Sequence, residues 1–363
     1  MSKTVRNGKI EFLRFAFAVI IMLFHMYESF LPVDYKVLGN FTFFANGWFG
    51  VEFFFVVSGF FMASTAFKRR NDNKTIGKAT FDFMWKKLMA VLPYHLLVFS
   101  ISFVLICILN KVDLSDFLNL FIKGVPNFLL IQRSGLVEKD ILGVEWYISE
   151  MLIAMLIIYP VCHKHYDRFT KTIAPVLSLL ILGYLIKTTG TLGGSKDWSV
   201  LVSKTLLRAI AEICAGAFAF EVCRNIQKLK FTKIDRAFLS GLELFSYGIV
   251  LLFVVYDFPS SYAGTIVIFA CVAICLSFSN LTFGNKLFNN KVVRFLGSLS
   301  LPLYLCQSAA RVFVKLLYKE YLDFKTTVLV FFVSTFCYAI FAYFVEKVLI
   351  KLINKKVAKL TER

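Results

Sequence analysis

Arg14 and His25 are the first residues in the chain whose types and spacing point to chemistry. They stand inside one apolar run, 10–31, and eleven steps of about 100° return a helix to within about 20° of the same face. At 1.5 Å per residue they are about 16 Å apart along the axis, with Arg14 near the inner surface and His25 well towards the outer one. Ionisable side chains in such a run are costly and mark functional sites. The plainer account is that Arg14 snorkels to headgroups and His25 satisfies one buried hydrogen bond. Glu52, in the next apolar run, lies about 10 Å below the outer surface, against about 9 Å for His25. A carboxylate at that depth would orient the imidazole and stabilise its protonated form, as a general base requires. On the same run Ser58-Gly59 interrupts Phe53, Phe54, Phe55, Phe60 and Phe61. This reads either as a small-residue packing notch or as room for a substrate chain to pass.

The elements that must position these residues follow from composition. The 363 residues are 58% hydrophobic, 17% aromatic and 18% charged, with 42 Phe and a mean hydropathy of +0.71. Soluble domains are about 45–50% apolar and about 25% charged, so a soluble enzyme, a disordered chain and a secreted disulfide scaffold are excluded. A spanning helix needs about 20 residues. Runs of that size near 10–31, 43–67, 86–110, 146–163, 172–187, 200–223, 238–256, 262–281, 294–318 and 325–352 predict an all-α integral membrane protein of about ten helices. The stretch 117–131, broken by Lys123, Gly124 and Pro126, reads as interfacial or re-entrant. The first run has no small-residue cleavage site and is expected to be a retained helix. A single domain over 1–363 with no appended soluble domain is expected.

A net charge of +18 would suggest nucleic acid in a soluble protein; in this chain it distributes as positive-inside bias. With the N-terminus inside, the cytoplasmic segments hold Lys68, Arg69, Arg70, Lys74, Lys86 and Lys87, then Lys164 to Lys171, Arg224 to Arg236, Lys286 to Arg294 and the basic tail from Lys347. The outer segments hold few bases, Lys36, Lys139, Lys196 and Lys319 among them, beside acids such as Asp34, Glu138 and Asp140. Both termini are therefore expected inside, and no nucleic-acid partner is expected. The eight cysteines show no CxxC pair and read as small buried hydrophobes, neither bridges nor metal ligands.

Weaker candidates have plain explanations beside functional ones. His163-Lys164-His165 reads as a basic interface, since a metal site needs further convergent ligands. His95, two residues after Pro93, satisfies backbone groups freed by a kink or lines a pathway. Arg208, Glu212 and Gly216 fall on one helix face as an ion pair and a packing groove. Arg311 and Lys315 form an outer cationic stripe that either binds an anionic acceptor or snorkels.

The motifs together resemble acyltransferase family 3, integral membrane proteins that move acyl groups from a cytoplasmic thioester to extracytoplasmic acceptors. Arg14 and His25 match its Arg-x10-His signature, and Gly47-Trp48-Phe49-Gly50-Val51-Glu52-Phe53-Phe54-Phe55-Val56-Val57-Ser58-Gly59-Phe60 resembles its second-span segment. Leu296-Gly297-Ser298-Leu299-Ser300-Leu301-Pro302-Leu303-Tyr304-Leu305 and Phe344-Val345-Glu346-Lys347 are similar to its C-terminal elements. Departures are Trp146-Tyr147-Ile148-Ser149-Glu150, with Glu one step closer to Trp than usual, Gln307 where His is frequent, Val348 where Pro is usual, and Ala90 where a further Arg is common.

The resemblance implies an acyl-CoA-dependent O-acyltransferase of the cell membrane, with acetyl-CoA as the expected donor and no metal. Cytoplasmic bases Arg69, Arg70, Lys86 and Lys87, with Arg14 at a channel mouth, would bind the CoA phosphates, and Ser58 would lie on the donor path. His25, oriented by Glu52, would deprotonate a hydroxyl of a glycan, a lipid-linked glycan or a small molecule arriving from outside. The rival reading is a proton-coupled transporter or flippase using Arg14, His25 and Glu52 as an intramembrane relay.

Overall fold

Residues 7–30, 44–134, 142–194, 198–199, 202–318 and 323–361 are described by the computed structural model. Lys36, Lys139, Lys196, Lys319, Asp34, Glu138 and Asp140, used above to argue topology, lie outside them. α1 (Gly8–Phe30) leads to a 3-10 turn at Gly47–Phe49, which runs directly into α2 (Gly50–Arg69). α3 (Ile76–Leu109) starts ten residues before the apolar run that announced it. Its first turns are polar: Thr75 caps the Lys78 N–H, and Asp82 pairs with Lys74 at 2.6 Å and Lys78 at 3.1 Å.

α4 (Leu114–Phe128) is too short to span, at about 22 Å. It lies against α3 through Phe117 and Phe121 on Phe103, and leaves Leu114, Leu118 and Ile122 exposed. Asp113 caps it, and the Asp116 N–H and Ser115 hydroxyl hold that carboxyl below the usual range. α5 (Trp146–Lys164) and a short α6 (Tyr166–Arg168) run through a π turn into α7 (Ala174–Thr189). A small hairpin, β1 (Trp198–Ser199) with β2 (Val202–Ser203), precedes α8 (Lys204–Ile226). α9 (Lys233–Val255), α10 (Ala263–Ser279), a one-turn α11 (Asn285–Phe288), α12 (Lys291–Leu317) and α13 (Phe324–Thr361) complete the order.

The chain is an all-α integral membrane protein. Among the described residues, eight helical stretches are long and apolar enough to cross a bilayer. α8 and α12, expected as spans from 200–223 and 294–318, are not among them, although they are 23 and 27 residues long. α8 fails on charge, with Lys204, Arg208, Glu212 and Glu221, and α12 on its polar middle, where Ser298, Ser300, Pro302, Tyr304, Gln307 and Ser308 join Arg311. α8 tolerates its charges because α2, α5, α7 and α10 enclose it, so Arg208 and Glu212 face protein and not lipid. α12 is likewise packed between α1, α3 and α13.

Close crossings fix this arrangement. A Cβ on Gly59 would overlap the Ile213 carbonyl, and one on Gly216 would overlap the Val56 carbonyl, so α2 and α8 meet backbone to backbone. Gly59 is thus a packing notch, and no substrate chain passes on that side. A Cβ on Gly297 would overlap Glu11, which sets α1 against α12. Lys9 reaches Glu243 at 2.7 Å and ties α1 to α9.

Candidate active site

A row of side chains runs the length of the bundle along α1, α2, α5 and α12. At the end formed by the start of α1 and the close of α2, half-buried Arg14 lies 3.6 Å from Glu11 and within electrostatic range of Lys87 on α3. Lys87 sits over the Phe83 ring, which stacks on Tyr159 with centroids 4.0 Å apart, and Arg69 lies within electrostatic range of the Tyr159 hydroxyl. Arg14, Lys87 and Arg69 are therefore gathered at one end. Arg70 is not with them: it covers the Phe67 ring at 3.8 Å, which Arg224 also approaches at 4.3 Å. Lys86 is exposed on the outer face of α3. The adjacent Lys86-Lys87 and Arg69-Arg70 pairs split because neighbours on a helix point about 100° apart.

The Arg14 charge also reaches Tyr147 at the start of α5, whose hydroxyl lies 3.2 Å from the Ser58 hydroxyl. Ser58 additionally approaches the Met151 sulfur at 3.3 Å. One turn along α2, Phe54 contacts both Tyr147 and Tyr304, with centroids 6.1 and 6.5 Å apart. Tyr304 donates its hydroxyl to the Val144 carbonyl at 2.6 Å. A turn further along α12, Gln307 donates from Nε2 to the Tyr304 carbonyl at 2.8 Å, and its Oε1 lies 3.0 Å from His25 Nδ1. Arg311, one turn beyond, puts its charge within range of the imidazole and donates to the Leu142 carbonyl at 3.3 Å.

Glu52 is not the partner of His25. Its carboxylate lies 3.3 Å from Arg208 Nε, beside Glu212, and both Glu52 and Glu212 are fully buried. The equal depth expected of the two is not found either: Gly50 lies against Ile21 and Phe17 of α1 and Phe53 stacks on Phe17, so Glu52 is level with the middle of α1, short of His25. Residues 52 and 54 are about 200° apart around α2, so Phe54 and Ser58 face the row while Glu52 faces α8. Around that second cluster Arg208 stacks 4.8 Å from the Trp146 ring and donates to the Leu192 carbonyl, and Lys204 donates to Gly193 at 2.7 Å. Glu150 accepts from Ser203 at 2.9 Å and Thr205 at 2.6 Å, which ties the start of α8 to α5.

His95 lies apart from the row. Its Nδ1 is 3.1 Å from Glu145 and its Nε2 is 3.0 Å from the Phe128 carbonyl, which anchors the end of α4. Among the described residues no group of three or more His, Cys, Asp or Glu converges on a metal position.

Sequence reasoning passed over Tyr147, Tyr304 and Glu11. Tyr147 and Tyr304 lie inside the quoted motif segments, but nothing in those segments says that the two rings meet at 5.5 Å. Glu11 carried a readable signal, its i, i+3 spacing to Arg14.

No curated protein and no solved structure matches the chain. A family model described as an acyltransferase domain matches residues 7–346, which takes in Arg14, His25, the α2 segment, Tyr304 and Glu346. The chain belongs to acyltransferase family 3, a membrane acyltransferase by its family and its fold.

Proposed function

We propose that the protein transfers an acyl group, acetyl in the first instance, from cytoplasmic acyl-CoA to a hydroxyl of an extracytoplasmic or lipid-linked glycan-type acceptor, with His25 as general base. The observation that carries this reading is the row of contacts from Ser58 and Tyr147 through Phe54 and Tyr304 to Gln307 and His25, with the Arg14 and Lys87 charges towards one end and Arg311 at the other. Arg14, Lys87 and Arg69 would hold the CoA phosphates at the cytoplasmic end. The thioester arm would run past Ser58, Tyr147 and Phe54 towards His25. The acceptor enters from outside, gives its hydroxyl proton to the imidazole and attacks the thioester carbonyl carbon. As the C–S bond breaks, the imidazolium returns that proton to the departing thiolate. No acyl group need enter water, and the hydroxyl's proton leaves on the CoA thiol as the acyl group goes the other way, so no net charge crosses.

A relay for proton-coupled transport would need Arg14, His25 and Glu52 in one line, whereas Glu52 is bonded to Arg208 and His25 to Gln307. The chain is read as one domain, in the cell membrane, with both termini inside. Purified protein in nanodiscs given radiolabelled acetyl-CoA and isolated cell-envelope glycan tests the reading. Label in the glycan and stoichiometric free CoA are expected, and neither would form if the protein were a transporter.

A further inference from the structure

We propose that Gln307 is a positioning residue that fixes the tautomer of His25, keeping the proton on Nδ1 and leaving the lone pair for the acceptor hydroxyl on Nε2. This rests on the reading of His25 as the general base.

The argument is one of donors and acceptors. Gln307 is 1% exposed, and both ends of its amide are engaged. One end lies 2.8 Å from the Tyr304 main-chain carbonyl, the other 3.0 Å from His25 Nδ1. A carbonyl oxygen accepts and never donates. The end of the amide that faces Tyr304 must therefore be the NH2 group, because the flipped amide would set two carbonyl oxygens against each other in a buried site. The end facing the imidazole is then the amide oxygen, which also only accepts. His25 Nδ1 must therefore carry a hydrogen. Two forms of the ring satisfy this condition: the neutral ring with Nδ1–H and the imidazolium. The neutral ring with its proton on Nε2 is excluded, since it would turn a nitrogen lone pair onto the amide oxygen.

Whatever proton His25 gains or loses therefore passes through Nε2. The base is poised with its lone pair on the nitrogen that does not face Gln307. A serine-hydrolase histidine is held in the same way by a buried carboxylate, and the wrong tautomer there costs about 10⁴ in rate. In this protein the holding group is neutral, and its orientation is set by a backbone carbonyl three residues back along α12. It therefore needs no second ionised group beside Arg311.

The test is 15N-histidine NMR of the purified protein at a pH where the rings are neutral, combined with acyl-transfer kinetics. The four histidines are resolved by the signal lost in His25→Ala. Wild type is expected to show a protonated Nδ1 and a pyridine-type Nε2 at His25. Gln307→Leu removes the acceptor; it should shift the ring towards the Nε2–H form and lower kcat at least about 10-fold, with about 10⁴ as the ceiling, while KM for acetyl-CoA holds. Gln307→Glu, held protonated in this buried site, donates its hydroxyl to the Tyr304 carbonyl and keeps its carbonyl oxygen facing Nδ1, and should restore the Nδ1–H signal and much of kcat. A merely structural Gln307 would change yield and leave the tautomer alone. An Nε2–H tautomer in wild type, or an unchanged tautomer in Gln307→Leu, overturns the proposal; the wild-type spectrum decides even if the leucine variant fails to fold. Full turnover by a folded His25→Ala would instead remove the base reading, and with it any catalytic value of the tautomer, whatever the spectra show.

Discussion

Glu52 and Arg208 form an ion pair 3.3 Å long between α2 and α8, and neither side chain is more than 2% exposed. Breaking a buried pair by removing one partner leaves an uncompensated charge and typically costs about 3–5 kcal/mol. Arg208→Leu strands Glu52 beside Glu212 and is expected to lower thermal stability sharply in detergent, measured by the melting of size-exclusion peaks. Glu52→Gln should be milder, because Arg208 keeps Glu212 nearby. Neither variant should move the pH dependence of turnover, as a carboxylate bonded to His25 would.

Loss of His25 is expected to be the least tolerated change in turnover. General-base catalysis is worth about 10²–10⁴-fold, so His25→Ala should lower kcat by that order. Binding of acetyl-CoA, followed by calorimetry, should persist, since Arg14 and Lys87 lie at the other end of the row.

In the proposed reading, the bases expected at the donor end divide. Arg14 and Lys87 act within range of each other, whereas Arg70 covers Phe67 and Lys86 is exposed. Charged hydrogen bonds are worth about 1.5–3 kcal/mol. Arg14→Ala should therefore raise KM for acetyl-CoA by about 10- to 100-fold, an effect that shrinks with added salt. Arg70→Ala and Lys86→Ala should leave KM unchanged. A rise in KM for all of them alike would assign the phosphates to the whole basic surface.

Gly59 and Gly216 allow α2 and α8 to touch at the backbone. Gly59→Val must push the helices apart, and overpacking of this kind costs about 1–3 kcal/mol or more. A loss of monodisperse protein is expected, with little left to assay. Gly183, which has open space at its Cβ position, should accept Val without loss.

The orientation is tested by single cysteines in a background lacking the eight native ones. A cysteine at Asn73, in the basic turn between α2 and α3, should resist an impermeant reagent in intact cells. One at Ser115, at the start of α4, should label. The reverse pattern would place the donor end outside.

Along each helix, the sequence was a good guide to depth. Polar residues in an apolar run report their level directly, because rise per residue is constant. That logic set Arg14 and His25 towards opposite ends of α1, and separated 117–131, most of which became α4, from the spanning runs through its polar interruptions. Composition likewise determined the membrane class, since no soluble core could hide 42 Phe. α8 and α12, read as spans from 200–223 and 294–318, are less apolar than the rest, because a helix buried by other helices need not look apolar.

The tertiary structure decided which way each residue faces and whom it meets. Equal depths were expected of Glu52 and His25, but the level of one helix against the next and the direction of a side chain are set only once neighbours occupy their places. α8 stands on the Glu52 side of α2 and brings Arg208, while α12 stands beside His25 and brings Gln307. These partners are 156 and 282 residues away in sequence, and no local pattern encodes such a meeting. It arises from the close approaches at Gly59, Gly216 and Gly297, which fix how each helix is rotated against the next and so turn a set of depths into a site.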